Sequence, residues 1–425
     1  MGTCRLLYAL GPPYVLRHGV TLRTRLQMAS FVCFMRADAG RLAYMRSLDI
    51  CAKVFEPRRD VVVHGTDASF ADLLTHPTTA LNTLILHDAE KILACNPELL
   101  TAVSTLTSVK QLHVDGVGRA AIVTLRTMRS HLVSATVALA GPLGYTPALR
   151  GHSAFSDVFS VLQFSADTLQ ELDLSLGIPI NPARDIPVPL QFPHVRTLRT
   201  VLDTHFPQCI LLRLFPNLQN LHLIPGLDLL YIVEDPNSGW FMHALRDANG
   251  RIGLSSSPRL VECSGEVSSL YPLSAHLTVS KLRICSHLHD RELPFFRIVL
   301  VETRPAELEV SVRGLDVVEA VAGILRELEP LTLRVLTLNV SFRPWDGEQV
   351  AVEERLYAAL GILLQMSSSL NVVVSIPSTS RGLTVGNCFP NEDGVHAVLA
   401  SSSKVFGASL TNAQRREWRI VRHAA

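Results

Sequence analysis

The sequence predicts an α/β fold in which short parallel strands alternate with helices along a repeating array. Three observations support it. An apolar–x–x–apolar–x–apolar pattern recurs along the 425 residues, the segments between its copies have helical periodicity, and most copies carry polar residues between the apolar ones. Since 48% of the residues are hydrophobic but only 6% are aromatic, aliphatic side chains are expected to form the core.

The repeat is well developed in "TLQELDLSL" at 168–176, where Leu172 and Leu174 alternate with polar residues. Strict alternation predicts a strand with one buried face. Ten copies have their middle apolar residue at Leu48, Leu84, Leu112, Val137, Leu172, Leu198, Leu221, Leu282, Leu308 and Leu336. Weaker copies are expected near 261–263 and at 370–376.

The segments between the copies are expected to be helices. Asn96 and Pro97 suit the N-cap and the first position of a helix. Apolar residues at three- and four-residue steps predict further helices at 153–164, 238–248, 314–328 and 353–366. Stretches rich in Pro and Gly predict surface loops around 141–153, 177–192 and 225–240.

Strand–helix units of this length are typical of a leucine-rich-repeat solenoid. The expectation is an irregular array of about 10–12 repeats, with parallel strands lining a concave face and helices outside. A doubly wound α/β domain is the competing prediction, because it also alternates strands and helices. Its strands would be apolar on both faces. Here Asp173, His113 and Glu309 lie between apolar residues, so one face is expected to be open.

This open face is the expected site of partner binding, because the concave face is the usual partner surface of a solenoid. The candidate partner-binding residues are Asp49, His87, His113, Asp115, Glu171, Asp173, Arg199, His222, Arg283 and Glu309. The face is expected to be acidic near Asp115, Glu171 and Asp173, and basic near Lys281 and Arg283. Mixed sign suits a protein partner, and a net charge of +1 predicts neither a nucleic-acid nor a membrane partner.

Neither a catalytic site nor a cofactor is expected. The sequence lacks the phosphate-binding, dinucleotide-binding, nucleophile-elbow and H-E-x-x-H motifs. Cys285, His287 and His289 fall at two-residue steps beside Asp290, which would suit zinc if the strand continues past Ile284. A fourth ligand is not identifiable, so a metal-dependent enzyme at these residues is the minor alternative.

An intracellular location, cytoplasmic or nuclear, is expected. The eight cysteines are scattered without a C-x-x-C pair, which favours reduced thiols over a disulfide framework. Pro12 and Pro13 interrupt the first apolar run, so a signal peptide is not expected. Apolar runs of membrane-spanning length are absent from the sequence.

The N-terminal residues resemble a known family. "CRLLY" at 4–8, "PYVLRHGVTL" at 13–22 and "QMASFVCFMRAD" at 27–38 resemble the helix, short strand and helix that follow the F-box in fungal (basidiomycete) F-box/leucine-rich-repeat-like proteins. "LTNAQRREW" at 410–418 resembles the closing helix of such proteins, where Thr411 and Gln414 fit a capping box.

The resemblance implies both a domain organisation and a function. Residues 1–46 would be a remnant of the last F-box helix and a capping segment, 47–400 the repeat array, and 401–425 a capping helix and tail. The repeats would select substrates for a cullin ubiquitin ligase. The adaptor-binding part of the F-box would lie before residue 1, so binding to the Skp-type adaptor is in doubt, and a repeat protein with no ubiquitin link is the alternative.

Overall fold

The structure is a computed structural model. It describes residues 5–55, 66–139, 161–175, 191–202, 209–225, 238–252, 258–328, 333–341, 355, 358–359, 362, 371–377 and 415–420. The chain divides into unit 1, which comprises Met1–Leu218 and Gly226–Asp228, and unit 2, which comprises Gln219–Pro225 and Leu229–Ala425. Strands and helices alternate in both units, so the α/β prediction is confirmed. Among these described residues, no helix has the length and apolar character needed to cross a membrane.

Unit 1 contains a parallel sheet in which the spatial order of the strands follows the sequence. The strands are β1 (Val20–Leu22), β2 (Ser47–Cys51), β3 (Thr83–His87), β4 (Gln111–Val117), β5 (Ser134–Leu139), β6 (Glu171–Ser175) and β7 (Thr197–Leu202). Their register aligns one buried row, formed by Leu48, Leu84, Leu112, Ala135, Leu172 and Leu198. The predicted anchor Val137 was therefore wrong by two residues. Both Ala135 and Val137 are buried, so the alternating pattern alone permits either register.

Helices precede, follow or connect these strands. They are α1 (Arg5–His18), α2 (Arg25–Arg36), α3 (Thr66–Thr75), α4 (Ala89–Ala94), α5 (Pro97–Thr105), α6 (Arg119–Thr127) and α7 (Cys209–Leu214). α2 begins with a capping box, in which Thr24 and Gln27 each accept a backbone hydrogen bond from the other. α5 begins at Pro97 after Asn96, as predicted, although the Asn96 side chain makes no capping hydrogen bond.

The N-terminal segment departs from the predicted strand at 13–22. α1 continues through Pro12 and Pro13 as far as His18, and only Val20–Leu22 forms a strand, which pairs with β2. Two prolines remove two helical hydrogen bonds. Leu16 is nevertheless only 1% exposed, and the burial of this side chain favours the helix over the local preference.

The strands of unit 2 have the same consecutive parallel order. Its strands are β8 (Asn220–Pro225), β9 (Arg259–Gly265), β10 (Thr278–Leu288), β11 (Glu307–Arg313), β12 (Val335–Ser341) and β13 (Asn371–Pro377). The weaker repeat copies near 261–263 and at 370–376 are thus confirmed as β9 and β13. The register aligns Leu221, Cys263, Leu282, Leu308 and Leu336, all of which are buried.

The C-terminal end of unit 2 differs from the prediction of a capping helix at 401–425. Arg415–Ile420 is a strand, β14, which pairs antiparallel with β13. Trp418 and Ile420 alternate with charged residues and have high strand propensity, a signal that the helical prediction overlooked. The predicted capping residues Thr411 and Gln414 lie outside the described residues.

Two of the four described helices of unit 2 named here lie where the periodicity predicted them. The four are α8 (Ser238–Ile252), α9 (Val267–Leu270), α10 (Leu293–Thr303) and α11 (Leu315–Glu327). Helices were predicted at 238–248 and 314–328, where α8 and α11 lie. The predicted helices at 153–164 and 353–366, and the loops at 141–153 and 177–192, fall mostly or wholly outside the described residues, as does most of the loop at 225–240.

Successive strands enter each sheet through a recurring hydrogen-bond arrangement. The carbonyl just before one strand accepts the backbone N–H groups of two consecutive residues at the entry of the next strand. For example, Arg46 accepts from Asn82 and Thr83 at 2.8 and 2.9 Å. The carbonyls that do this are those of Arg46, Asn82, Lys110, Val133 and Gln170 in unit 1, and that of Ala306 in unit 2. The Gln219 carbonyl makes the same pair of bonds, but to Val261 and Glu262, which lie inside β9. Neighbouring strands are therefore joined in the same way at each of these positions.

One face of each sheet is open. Burial alternates strictly along β2, β3 and β12, with the even-numbered residues buried and the odd-numbered ones partly exposed. The buried row lies on the side where helices contact the strands, as α4 contacts β4 and α11 contacts β11. In neither unit do the described strands show the order reversal of a doubly wound domain. The partly exposed side is called the open face below.

Candidate functional site

The candidate residues of unit 1 lie in ordered rows on the open face. The register aligns one residue from each of β2 to β7 in a single row across the sheet. In order, these residues are Asp49, Ile85, His113, Thr136, Asp173 and Arg199. His87 lies one step further along, level with Cys51. The prediction of which strand residues are partly exposed is therefore confirmed for this unit.

Four of these residues form a cluster, called the His87 cluster, that consists of Asp49, His87, His113 and Asp115. Nδ1 of His87 is 2.6 Å from Oδ2 of Asp115, and its Nε2 is 3.2 Å from Oδ1 of Asp49. The His113 ring lies 6.0 Å from that of His87, centroid to centroid. His87 is 42% exposed and Asp49 is 23% exposed, so the cluster is accessible to solvent.

The backbone around Asp115 positions this carboxylate. The register between β4 and β5 shifts between Val114 and Val117, as in a β-bulge, which re-aims the side chains at that point. The backbone N–H of Asp88 donates to Oδ1 of Asp115 at 2.6 Å. Both Asp88 and Gly116 have positive φ, 58° and 62°, and a Cβ on Gly116 would lie 2.8 Å from the Asp88 Cα. This close approach allows only glycine at position 116 without a backbone shift.

An open groove of about 400 Å³ lies on the open face at His87 and His113. Its other polar walls are Thr83, Gln111, Ser134 and Thr136. The Thr83 hydroxyl donates to Oε1 of Gln111 at 3.0 Å, which links two neighbouring strands. The groove therefore combines two imidazoles with uncharged hydrogen-bonding groups.

The other candidates in unit 1 form a looser arrangement. Nε of Arg199 is 3.8 Å from Oδ2 of Asp173, and Arg199 is 58% exposed, so the pair contributes little stability. Glu171 is exposed, level with Ser134 and Thr197. The acidic region expected at Asp115, Glu171 and Asp173 was therefore only partly right, because two of these carboxylates have basic partners.

In unit 2 the candidate residues are also paired across strands. Nδ1 of His222 is 2.7 Å from the Ser264 hydroxyl. Arg283 donates to Glu309 at 2.8 Å. Lys281 lies 3.5 Å from Glu262. The prediction of a basic region near Lys281 and Arg283 was wrong. Glu262 of β9 and Glu309 of β11 each lie beside one of these two cations, so the region carries both signs of charge.

Two carboxyl groups of unit 2, one buried and one half-buried, were not predicted from the sequence. Glu292 is only 6% exposed and accepts the His289 backbone N–H at 3.1 Å. Burial raises its pKa to about 7. Burial also raises the pKa of Glu266, against the opposing hydrogen bonds of Ser268 and Ser286. Glu292 is the N-cap of α10, whose first turn contains Pro294, a pattern that indicates a helix start but not burial.

The residues that could ligate a metal ion in the structure are not those that the sequence suggested. The strand does continue past Ile284, and Cys285, His287 and His289 are all exposed, but the register with β11 shifts between Ile284 and His287. Among the described residues, the group of three or more whose ligand atoms all lie within 4.8 Å of one another is His87, His113 and Asp115. Cys285, His287 and His289 do not form such a group.

Comparison with known proteins adds no assignment. No protein-family model matches this chain, and no curated protein matches it.

Proposed function

We propose that this chain is a non-enzymatic binding protein, a leucine-rich-repeat solenoid whose open face takes a protein partner. The observation that carries the proposal is the cross-strand pairing of opposite charges on that face. In unit 1 the pair is Asp173 with Arg199, and in unit 2 it is Arg283 with Glu309. Charges of alternating sign on a sheet favour the binding of a protein surface whose charges are complementary.

The solenoid part of the proposal is supported by the repeated junctions between strands. Each described parallel strand follows its predecessor in space, and the same carbonyl-to-two-amides arrangement recurs at successive strand entries. A stack of similar units, each burying its apolar face against the next, requires this kind of repetition.

A phosphate backbone is a poorer match to the open face. Binding to nucleic acid gains most of its affinity from Lys and Arg side chains that neutralise several phosphates. Here Arg199, Lys281 and Arg283 each lie beside a carboxylate of a neighbouring strand. Each cation would have to leave an acid before it could bind a phosphate.

The resemblance to F-box proteins extends the proposal to substrate selection for a cullin ubiquitin ligase. Co-purification with a Skp-type adaptor tests this extension. Retention of the adaptor by the chain would support it. Retention only by a version extended upstream of residue 1 would place adaptor binding outside the chain, and failure of both would favour a repeat protein with no ubiquitin link.

The experiment for partner binding is a charge reversal on the open face, Asp173→Arg. Proteins cross-linked to the tagged wild-type chain are identified by mass spectrometry, and the binding of the strongest is then measured with purified components. The variant should fold as the wild type does, since Asp173 is partly exposed, but should bind that partner at least about tenfold more weakly.

The matched control is Asp167→Arg, which reverses an exposed acid just before β6 rather than on it. It should leave both folding and binding unchanged. Equal binding by wild type and Asp173→Arg would count against a partner on the open face of unit 1. Unfolding of Asp173→Arg alone would mean that this face is covered, as in a doubly wound domain.

A further inference from the structure

The His87 cluster combines donor atoms that the partner-binding proposal does not use. His87, His113 and Asp115 bring two imidazole nitrogens and a carboxylate oxygen within 4.8 Å of one another on the open face of unit 1. Nitrogen-rich donor sets of this kind suit zinc and the neighbouring transition metals, whereas calcium and magnesium prefer oxygen alone. We propose that the cluster binds one zinc-class transition-metal ion through His87, His113 and Asp115.

The groups behind the ligands support this assignment. A histidine that binds a metal usually donates its other ring N–H to a carboxylate or a carbonyl, which fixes its orientation. With Nδ1 of His87 directed to the ion, its Nε2 lies 3.2 Å from Asp49, whose other oxygen accepts the Thr21 hydroxyl at 3.4 Å. Asp49 thus orients His87 without binding the ion itself.

The carboxylate ligand is held in a similar way. The Asp88 backbone N–H occupies Oδ1 of Asp115, which leaves Oδ2 on the side of His87. Asp88 adopts a left-handed conformation that costs energy for a non-glycine residue. This backbone conformation and the bulge at Gly116 together fix the position of Asp115 before any ion binds.

The distance between His87 and Asp115 requires only a small adjustment. A tetrahedral zinc site with bonds of about 2.0–2.1 Å places its donor atoms roughly 3.3 Å apart. Nδ1 of His87 and Oδ2 of Asp115 are now 2.6 Å apart, at hydrogen-bonding distance. The ion would take the place of the proton in this hydrogen bond, which leaves to solvent, and the two partly exposed side chains would separate by under about 1 Å. The fourth coordination position remains for water from the open groove.

The test is metal binding by the purified full-length chain. Zinc is titrated calorimetrically, and cobalt(II) is titrated in parallel, because tetrahedral cobalt absorbs visible light with an intensity that reports its geometry. One ion per chain is expected for both metals, with cobalt displaced by zinc. His113→Ala and Asp115→Asn should abolish stoichiometric binding, and Asp49→Asn should weaken it by about 10- to 100-fold.

The matched control is His131→Ala, which removes an exposed histidine from the same unit and should leave the titration unchanged. Circular dichroism of each variant shows whether it is folded, and Asp115→Asn keeps the acceptor for Asp88. Absence of a stoichiometric ion in the wild type would overturn the proposal. So would binding that survives both ligand substitutions, or that is lost in Cys285→Ser instead. Asp173→Arg should retain the ion. Loss of partner binding in that variant can therefore be told apart from loss of the metal site.

Discussion

Replacing Glu292 with Gln should make the protein more stable at pH 8 and leave its stability nearly unchanged at pH 4.5. Glu292 is 6% exposed, and burial raises the pKa of its carboxyl group from 4.5 to about 7. Below pH 4.5 the carboxyl is protonated in the folded and unfolded states, so burial of a charge costs nothing. Above pH 7 it is ionised in both, and the folded state bears the full cost.

The size of the effect follows from the two pKa values. One pKa unit corresponds to about 1.4 kcal/mol, so the rise from 4.5 to about 7 corresponds to about 3 kcal/mol at pH 8. The wild type loses this stability as the pH rises through that interval. Gln has no charge to bury, and its amide oxygen accepts the same His289 N–H, so the variant should not show the loss.

The assay is urea denaturation followed by circular dichroism at several pH values between 4.5 and 8. The difference in unfolding free energy between Glu292→Gln and the wild type should grow with pH. The control Glu307→Gln removes an exposed carboxyl from the same unit and should give a difference that is nearly constant with pH. Parallel stability curves for the wild type and Glu292→Gln would refute the assignment of a buried proton to Glu292.

Two further substitutions or modifications test the backbone and the core. Gly116→Ala should lower the free energy of unfolding by at least about 1 kcal/mol in a denaturant titration, because of its positive φ and the close Asp88 Cα. Gly250→Ala, a helical position with no neighbour within 4 Å, should instead be neutral or stabilising, and equal losses at both would contradict the strain argument. Burial raises the pKa of the Cys209 thiol to about 12, so iodoacetamide at pH 8 should label exposed Cys33 far faster. Mass spectrometry that finds equal rates would show that Cys209 is accessible.

The strand pattern was predictable because alternation depends on local sequence alone. Leu172 and Leu174 are buried and Asp173 is partly exposed, as their two-residue period requires. The register was less predictable, because Ala135 and Val137 have the same parity and only pairing with Leu112 and Leu172 distinguishes them. The parity of a strand is a local property, whereas its register depends on its neighbours.

The two ends of the chain were predicted less well, for different reasons. α1 runs through Pro12 and Pro13, where local propensity predicts a break, because Leu16 is buried. β14 forms where the resemblance suggested a helix, although the strand propensity of Trp418 and Ile420 favours a strand there. Propensity therefore failed at α1 because it omits tertiary burial, whereas at β14 the resemblance was the misleading signal.

The contacts within the His87 cluster could not be predicted from the sequence either. Each of its four residues was predicted to lie on the open face, but not the contacts between them. Those contacts depend on the register between three strands and on the bulge at Gly116. The alternation in the sequence contains no signal for either feature.

The recurring carbonyl-to-two-amides junction also bears on how such a chain changes during evolution. Because the junctions at Asn82, Lys110 and Val133 have the same hydrogen bonding, the loss or duplication of a whole strand–helix segment recreates a compatible junction. Loss of a single strand residue would instead turn the remaining side chains to the opposite face. The number of strands in this protein is therefore free to change in whole segments, whereas the length within each strand is constrained.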